Sequence, residues 1–341
     1  MSRSPQFEHV LVTGGAGYVG AVLVPSLLAA GHAVRVLDLY QFGDDALVSV
    51  AGHPRLEQIR GDVRDRVAVG RSVAGMDAVI HLACISNDPS CDLEPELSRT
   101  INYEAFEPLL VASREAGVRR FVFASSSSVY GLSDAPNVTE DHPLRPITDY
   151  NRYKAMCEDV LFRHQAPDFT TVSIRPATVC GVSPRQRFDL VVNILAIQAL
   201  ARGRLTVFGG DQQRPNIHIA DMVDLYRLLL EVPADAIAGQ AFNAGYQNQR
   251  VSDLALLVKT VVEAVRPGRT RVEIETSPSN DPRSYRIGCE KIRSRLGFVP
   301  RRTIEDGIRD IATAYDRGSF PDALTDSRYY NVKRLKESGL C

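Results

Sequence analysis

The stretch Val10-Leu11-Val12-Thr13-Gly14-Gly15-Ala16-Gly17-Tyr18-Val19-Gly20 decides how the rest of the chain is read. Its apolar run stops at the glycines, and helix-like sequence follows from Tyr18 to Ala30, ended by Gly31-His32. That is the pattern of a strand, a tight turn and a helix. Gly14 and Gly17 suit a turn that brings backbone close to a ligand, and Gly20 suits a helix lying near its strand. The N–H groups at the start of such a helix, around Tyr18 and Val19, favour an anionic pyrophosphate.

A glycine cluster alone is a weak signal. Here a second apolar run, Ala33-Val34-Arg35-Val36-Leu37, ends in Asp38, about twenty residues after the glycines, as a dinucleotide fingerprint requires. A carboxylate at that place accepts the ribose hydroxyls of the adenosine half and repels a 2′-phosphate. The predicted cofactor is therefore NAD rather than NADP.

Working outward, short β-like runs recur at Val10–Val12, Val34–Leu37, Leu56–Ile59, Ala78–Leu82, Phe121–Ala124 and Thr171–Ile174, with helical or loop segments between most of them. Such alternation predicts an α/β fold, a doubly wound parallel sheet covered by helices on both faces. Gly61-Asp62-Val63 follows the third run, at a strand's carboxyl end where side chains face a cofactor crevice. Helices are expected over Ile101–Ala116 and Asp149–His164. Both carry more apolar surface than one sheet face needs, which predicts pairing with a second copy as a homodimer.

After Arg175-Pro176 the alternation changes. A loop rich in Pro, Arg and Gln leads to a helix around Leu190–Ala201, then Leu205–Phe208 and a Gly-Gly-Asp turn. The expected organisation is a dinucleotide-binding domain over residues 1–175 and a smaller α/β substrate lobe over 176–341, some of whose segments return to the first sheet. Residues from about Phe320 onward read as a terminal extension without an assigned role.

Composition bounds the partners. The chain has 341 residues, 44% hydrophobic and 24% charged, with a formal net charge of −1, which gives no general field for nucleic acid or an anionic membrane. The polar stretch Met1–His9 lacks the apolar core of a secretory signal, and no segment approaches a membrane span. The cytoplasm is the expected location. Six cysteines without a Cys-x-x-Cys pair suggest reduced thiols, and neither a disulfide framework nor a metal site.

Chemistry enters where Phe121-Val122-Phe123-Ala124 ends in Ser125-Ser126-Ser127-Ser128-Val129-Tyr130-Gly131. This places hydroxyls at the carboxyl edge, where the nicotinamide half would lie. Further along comes Tyr150-Asn151-Arg152-Tyr153-Lys154, and Tyr150 and Lys154 share one helix face. An ammonium beside the phenol, aided by a positive nicotinamide, would lower the phenol's pKa from about 10 toward neutrality. Tyr150 is then placed to exchange a proton with a sugar or alcohol hydroxyl during hydride transfer. Tyr153 lies on another face and is assigned to packing.

Taken together, Thr13–Gly20, Asp38, Gly61-Asp62-Val63, His81-Leu82-Ala83, Asn102, Ser125–Gly131 and Tyr150-x-x-x-Lys154 resemble the extended short-chain dehydrogenase/reductases. Within them the likeness is to the NAD-dependent nucleotide-sugar epimerase/dehydratase group, of the UDP-glucose 4-epimerase type, with a Rossmann-type fold. The second half adds Gly209–Asp221 and Phe242-Asn243-Ala244-Gly245. The resemblance implies that Asp62 and Val63 contact adenine, that Leu82, Ala83, Asn102 and Pro176 line the cofactor path, and that Lys154 holds the nicotinamide ribose. It makes Ser126 the catalytic hydroxyl and Ser128 a second one that touches the sugar. Arg214 is implied to hold the substrate diphosphate, with Thr178, Asn193 and Arg283 as further substrate contacts. Cys180 and His81 are read as structural.

In sugar-nucleotide dehydratases of this group the strand end resembles Thr-Asp-Glu, whereas here Ser127 and Ser128 stand in those places. Serine cannot act as that acid/base pair at neutral pH. The expected activity is a nucleotide-sugar epimerase working at C4 through a transient 4-keto sugar. A 4-ketoreductase or related dehydrogenase using the same residues is the alternative. A dinucleotide-binding regulator without catalysis is the remaining reading, and the intact tyrosine and lysine speak against it.

Overall fold

In the computed structural model, residues 6–268, 271–278 and 284–338 are described. The first six strands are β1 (His9–Thr13), β2 (Ala33–Asp38), β3 (Leu56–Arg60), β4 (Ala78–His81), β5 (Arg120–Ala124) and β6 (Thr170–Pro176). The second half adds β7 (Thr178–Cys180), β8 (Arg204–Phe208), β9 (Gln213–His218), β10 (Gln240–Ala244), β11 (Gln247–Arg250) and β12 (Glu273–Ser277). Seven of them form one sheet in the order β10-β6-β5-β4-β1-β2-β3, and every pairing in it is parallel.

The sheet is central because its strands are apolar on both sides. Val10 and Val12 face one core with Val34, Val36, Ile80 and Val122. Leu11 faces the opposite core with Val79, Phe121 and Phe123. Successive side chains of a strand point to opposite faces, so a strand covered twice reads as a continuous apolar run. Helix α1 (Gly20–Ala29) covers the first face. Helices α2 (Arg66–Val73), α3 (Phe106–Glu115) and α4 (Asp149–Arg163) cover the second.

The chain winds β1-β2-β3 in one direction and returns to place β4 beside β1. A crevice therefore opens between the carboxyl ends of β1 and β4, where the connections leave in opposite directions. The second half is not separate from this sheet. β10 pairs with β6 in parallel, and α6 (Ile219–Glu231) packs on α1.

The remainder of the second half forms a lobe with its own core. Helices α5 (Val191–Arg202), α7 (Val251–Val265) and α8 (Ile304–Asp316) pack together around Leu195, Leu205, Leu254, Val258 and Ile308. Beside them lie the small sheets β11-β9-β7 and β12-β8. A last helix, α9 (Asn331–Glu337), leaves this lobe and returns to the first.

One expected helix is broken. The sequence predicts continuity over Ile101–Ala116, but the helix widens into a π-turn over Thr100–Glu104 before α3 begins at Phe106. The cause is Asn102, which is buried. Its Oδ1 accepts from the Ile85 N–H at 2.8 Å, and its Nδ2 donates to the Ile85 carbonyl at 2.9 Å.

Candidate active site

The crevice deepens into one cavity of about 650 Å³ between the sheet's carboxyl edge and the second lobe. Its floor is the glycine turn. Gly14 has φ +73°, and a Cβ there would come within 2.6 Å of the Ala83 nitrogen, so this position demands glycine twice over. Gly20 serves the turn itself rather than helix-on-strand packing, because a Cβ on it would run into the Gly14 carbonyl oxygen. No side chain caps the N-terminus of α1.

Asp38 closes the turn from the end of β2. Its two oxygens accept from the Ala16 N–H at 2.9 Å and the Tyr40 N–H at 2.8 Å, and burial pushes its pKa up despite those bonds. At the neighbouring strand ends, Thr13 Oγ1 meets His81 Nδ1 at 2.7 Å. Burial pushes His81 down to about 3, so the ring is neutral and fastens β1 to β4 at the point where they diverge.

The far end of the cavity holds the hydroxyls. After β5 a 3₁₀ turn over Ser127–Tyr130 starts with Ser126, whose side chain accepts from the Ser128 N–H. Helix α4 starts with Thr148, whose Oγ1 accepts from the Asn151 N–H. This start sets Tyr150 in the first turn and Lys154 one turn deeper. Ser126 stands beside the Tyr150 hydroxyl and acts to lower its pKa, Ser126 Oγ lies 2.6 Å from Ser128 Oγ, and Ser128 Oγ donates to Asn151 Oδ1. A chain of hydrogen bonds thus runs from Ser126, beside the phenol, into the protein. Ser127 Oγ, pointing elsewhere, approaches the Tyr285 hydroxyl at 3.4 Å.

Lys154 differs from its expected role in the protein alone. Its ammonium is buried, donates to the Ala124 carbonyl at 2.6 Å, and lies 5.9 Å from the centre of the Tyr150 ring. It does not bring the phenol toward neutrality. Burial raises the Tyr150 pKa well above its ordinary value, with Arg187 nearby acting in the opposite sense. Desolvation of an anion outweighs the cations that surround it.

Gly14, Gly17, Tyr18, Val19, Gly20, Asp38, Asp62, Val63, Leu82, Ala83, Ser126, Ser128, Tyr150, Lys154, Pro176, Thr178 and Arg214 all line this one cavity. Two other sequence-predicted residues have a different place. Asn102 acts behind the wall, on the Ile85 backbone. Asn193 is fully buried in α5, where its amide accepts from the Gly181 N–H and donates to the Arg187 carbonyl and the Tyr18 hydroxyl. Arg283 lies outside the described residues. Cys180 is buried too, and burial pushes its thiol up to about 12, which leaves it inert.

The comparisons with known proteins agree with this geometry. Residues 10–245 match the model of the NAD dependent epimerase/dehydratase family. The chain belongs to this family. The UDP-glucose 4-epimerase of Mycolicibacterium smegmatis is 33% identical over 88% of this chain and 96% of its own. The dTDP-glucose 4,6-dehydratase of Streptomyces griseus is 31% identical over 91% of this chain and 94% of its own. Among solved structures, DesIV, a dTDP-glucose 4,6-dehydratase from Streptomyces venezuelae with NAD and TYD bound, superposes with a TM-score of 0.80. It is 26% identical over 91% of this chain and 98% of that one.

As in the family, the cofactor is NAD, and the residues present fit it. The glycine turn leaves room that any side chain at Gly14 would fill. The uncapped start of α1 faces the same crevice, and an acidic side chain stands at the end of β2. Membership of the family does not choose an activity, since epimerases and dehydratases both stand among the relatives at about 30% identity. Sequence reasoning missed one group of cavity residues, Ser86, Asn87, Arg185, Arg187, Asp189 and Asn331. Among the described residues no metal-binding cluster is present and no helix is long and apolar enough to cross a membrane.

Proposed function

We propose that this member of the family is a nucleotide-sugar epimerase that inverts C4 of a hexose through a transient 4-keto sugar. The observation that carries the reading is the bonded run Ser126–Ser128–Asn151 beside Tyr150, which offers hydroxyls and an amide and, among the described residues, no carboxyl group. Eliminating water from a sugar requires an acid and a base at adjacent carbons besides the group that oxidises it. Among the described residues, the cavity's carboxyls are Asp38, Asp62, Asp88 and Asp189. Each is already engaged: Asp38 with backbone N–H groups, Asp62 with Arg64, Asp88 with Thr148 and Asp189 with Arg187.

Bound NAD supplies a reversible hydride acceptor that turns a secondary alcohol into a ketone and back. In this reading Tyr150 takes the proton of the C4 hydroxyl and later returns it to the same oxygen, while inversion comes from hydride being returned to the opposite face of the keto carbon. Ser126 holds the same oxygen and relays hydrogen bonding to Ser128. Lys154, anchored on the Ala124 carbonyl, is assigned to positioning the nicotinamide ribose. Arg214 and Thr178 reach the cavity from the second lobe and are assigned to the nucleotide diphosphate.

The hydride and the proton removed in the first half of the reaction are both restored in the second, so turnover needs no added cofactor. The test is to incubate the purified protein with a panel of sugar nucleotides, without NAD or NADH, and read sugar configuration by NMR. Interconversion of two C4 epimers supports the reading. Stoichiometric consumption of a reduced cofactor would instead assign a ketoreductase, and formation of a 4-keto-6-deoxy sugar would assign a dehydratase.

A further inference from the structure

The loop between β7 and α5 leaves the second lobe and lies on the glycine turn. Ser183 Oγ donates to the Tyr18 carbonyl at 2.7 Å, and the Tyr18 hydroxyl donates to the Gly181 carbonyl at 2.8 Å. Two residues beyond Ser183, Arg185 is only 5% exposed yet lines the cavity. Its guanidinium stacks 3.7 Å from the centre of the Phe42 ring, and Nη2 donates to Asn331 Oδ1 at 2.5 Å. Nε and Nη1 are buried without a hydrogen-bond partner among the described residues.

Asn331 is itself fixed from three directions. Its N–H donates to Asp189 Oδ2 at 3.2 Å, and its Nδ2 donates to the Ser86 carbonyl at 3.2 Å and to Ser86 Oγ at 3.0 Å. One turn further along α9, Arg334 Nε donates to the Gln41 carbonyl at 2.8 Å, and Leu335 is buried against the first lobe. The C-terminal segment therefore ties together the loops after β2 and β4 and the loop that carries Arg185.

A buried guanidinium with unmet N–H groups is costly unless an anion satisfies it. Burial pushes Arg185 down to about 9, with Arg187 acting in the same sense and Asp189, Asp38 and Tyr18 opposing it, so it remains charged at neutral pH. Its surroundings identify the anion. Tyr18 belongs to the glycine turn, Phe42 follows the strand that ends in Asp38, and the planar fork of a guanidinium matches phosphate oxygens. The adjacent Asp38 carboxylate opposes a phosphate on the adenosine ribose and leaves the bridging diphosphate as the partner.

We propose that Arg185 is a cofactor-binding residue, donating its free N–H groups to the diphosphate of NAD, and that Asn331 of the C-terminal segment is its positioning residue. Together they form a clasp that retains the dinucleotide. The clasp concerns cofactor retention alone and holds whichever sugar reaction the enzyme runs.

The test uses the full-length protein as purified. NAD content is measured after acid release, exchange is followed with isotopically labelled NAD, and competing NADP and ADP-ribose are titrated. Losing charged hydrogen bonds to a phosphate corresponds to about a 10- to 100-fold change in affinity. R185M should release NAD faster, and bind ADP-ribose more weakly, by about that range. R185K, which keeps the charge without the fork, should fall between R185M and the wild type, and N331A, assayed well below its melting transition, should speed release about 3- to 10-fold. If R185M does not fold, R185K and N331A carry the test. NAD and ADP-ribose binding unchanged in soluble variants would overturn the proposal. So would a loss confined to NADP, which would place the guanidinium on a 2′-phosphate.

Discussion

Replacing Tyr150 by phenylalanine separates the chemistry of the site from its architecture. The hydroxyl lost is buried beside Ser126, but Ser126 keeps Ser128 at 2.6 Å, and the aromatic ring remains beside Lys154. At most one neutral polar contact disappears, which is worth about 1 kcal/mol, so the melting temperature should fall by only a few degrees. A positioned proton donor and acceptor is worth roughly 10²- to 10⁴-fold, or about 2.7 to 5.4 kcal/mol of barrier. The assay is initial rate of epimer formation by NMR, at saturating sugar nucleotide, on protein of verified NAD content. The expected result is a loss of about 100-fold or more. The pH profile adds a second signature. Because burial holds the phenol above its ordinary pKa, the base form is scarce near neutrality and the wild-type rate should climb with pH, while residual activity of Y150F should not. A variant with normal NAD content that works within about threefold of the wild type would refute proton transfer by Tyr150.

Three further perturbations probe the frame around that site. His81, neutral and pushed down to about 3, binds fewer protons folded than unfolded between its two pKa values. Its contribution to stability is therefore full above pH about 6.5 and is lost as pH falls toward 3, about 2.7 kcal/mol of it by pH 4.5. Urea midpoints across this range should steepen with acid in the wild type and less so in H81Q. Glu158 faces Arg175 in a buried pair at 2.6 Å, reinforced by Ser173. E158Q leaves the guanidinium uncompensated and should lower unfolding free energy by about 3 to 5 kcal/mol in a denaturant titration. D38S removes the carboxylate that opposes a 2′-phosphate, and the ratio of NADP to NAD affinity by calorimetry should rise about tenfold or more.

The frame of this protein was written locally. Each central strand is buried on both faces, so it appears in the sequence as an unbroken apolar run, and Gly14 and Gly20 stand where side chains would collide with neighbouring backbone. Tyr150 and Lys154 fall on one face because four residues make about one helical turn. What escaped is polar, buried and long-range. Helical periodicity runs straight through Asn102, and nothing in it announces that the amide turns inward to the Ile85 backbone and widens the helix. Asn193, expected at the substrate, spends its amide on Gly181, Tyr18 and Arg187, a commitment set by how the second lobe docks. The same holds for the phenol's acidity: the spacing of Tyr150 and Lys154 predicts the neighbouring charge, whereas the burial that outweighs it belongs to the assembled cavity.

Arg185 makes the distinction sharpest. In a loop of Pro, Arg and Gln it reads as a solvated side chain, since exposed arginines are the rule. Its burial is produced by Phe42 on one side and by Asn331, 146 residues away, on the other. A contact of that range leaves no periodicity to detect. The available hint was the crowding of Arg185, Arg187 and Asp189 immediately after a strand of the second lobe, since two guanidiniums need more than one nearby carboxylate if both are withdrawn from water. Asp189 is taken up by Arg187 through both of its oxygens, at 2.8 and 3.1 Å. The second cation is thereby left to find its anion elsewhere, and the C-terminal segment holds it beside the glycine turn, where the proposed partner is the diphosphate of NAD.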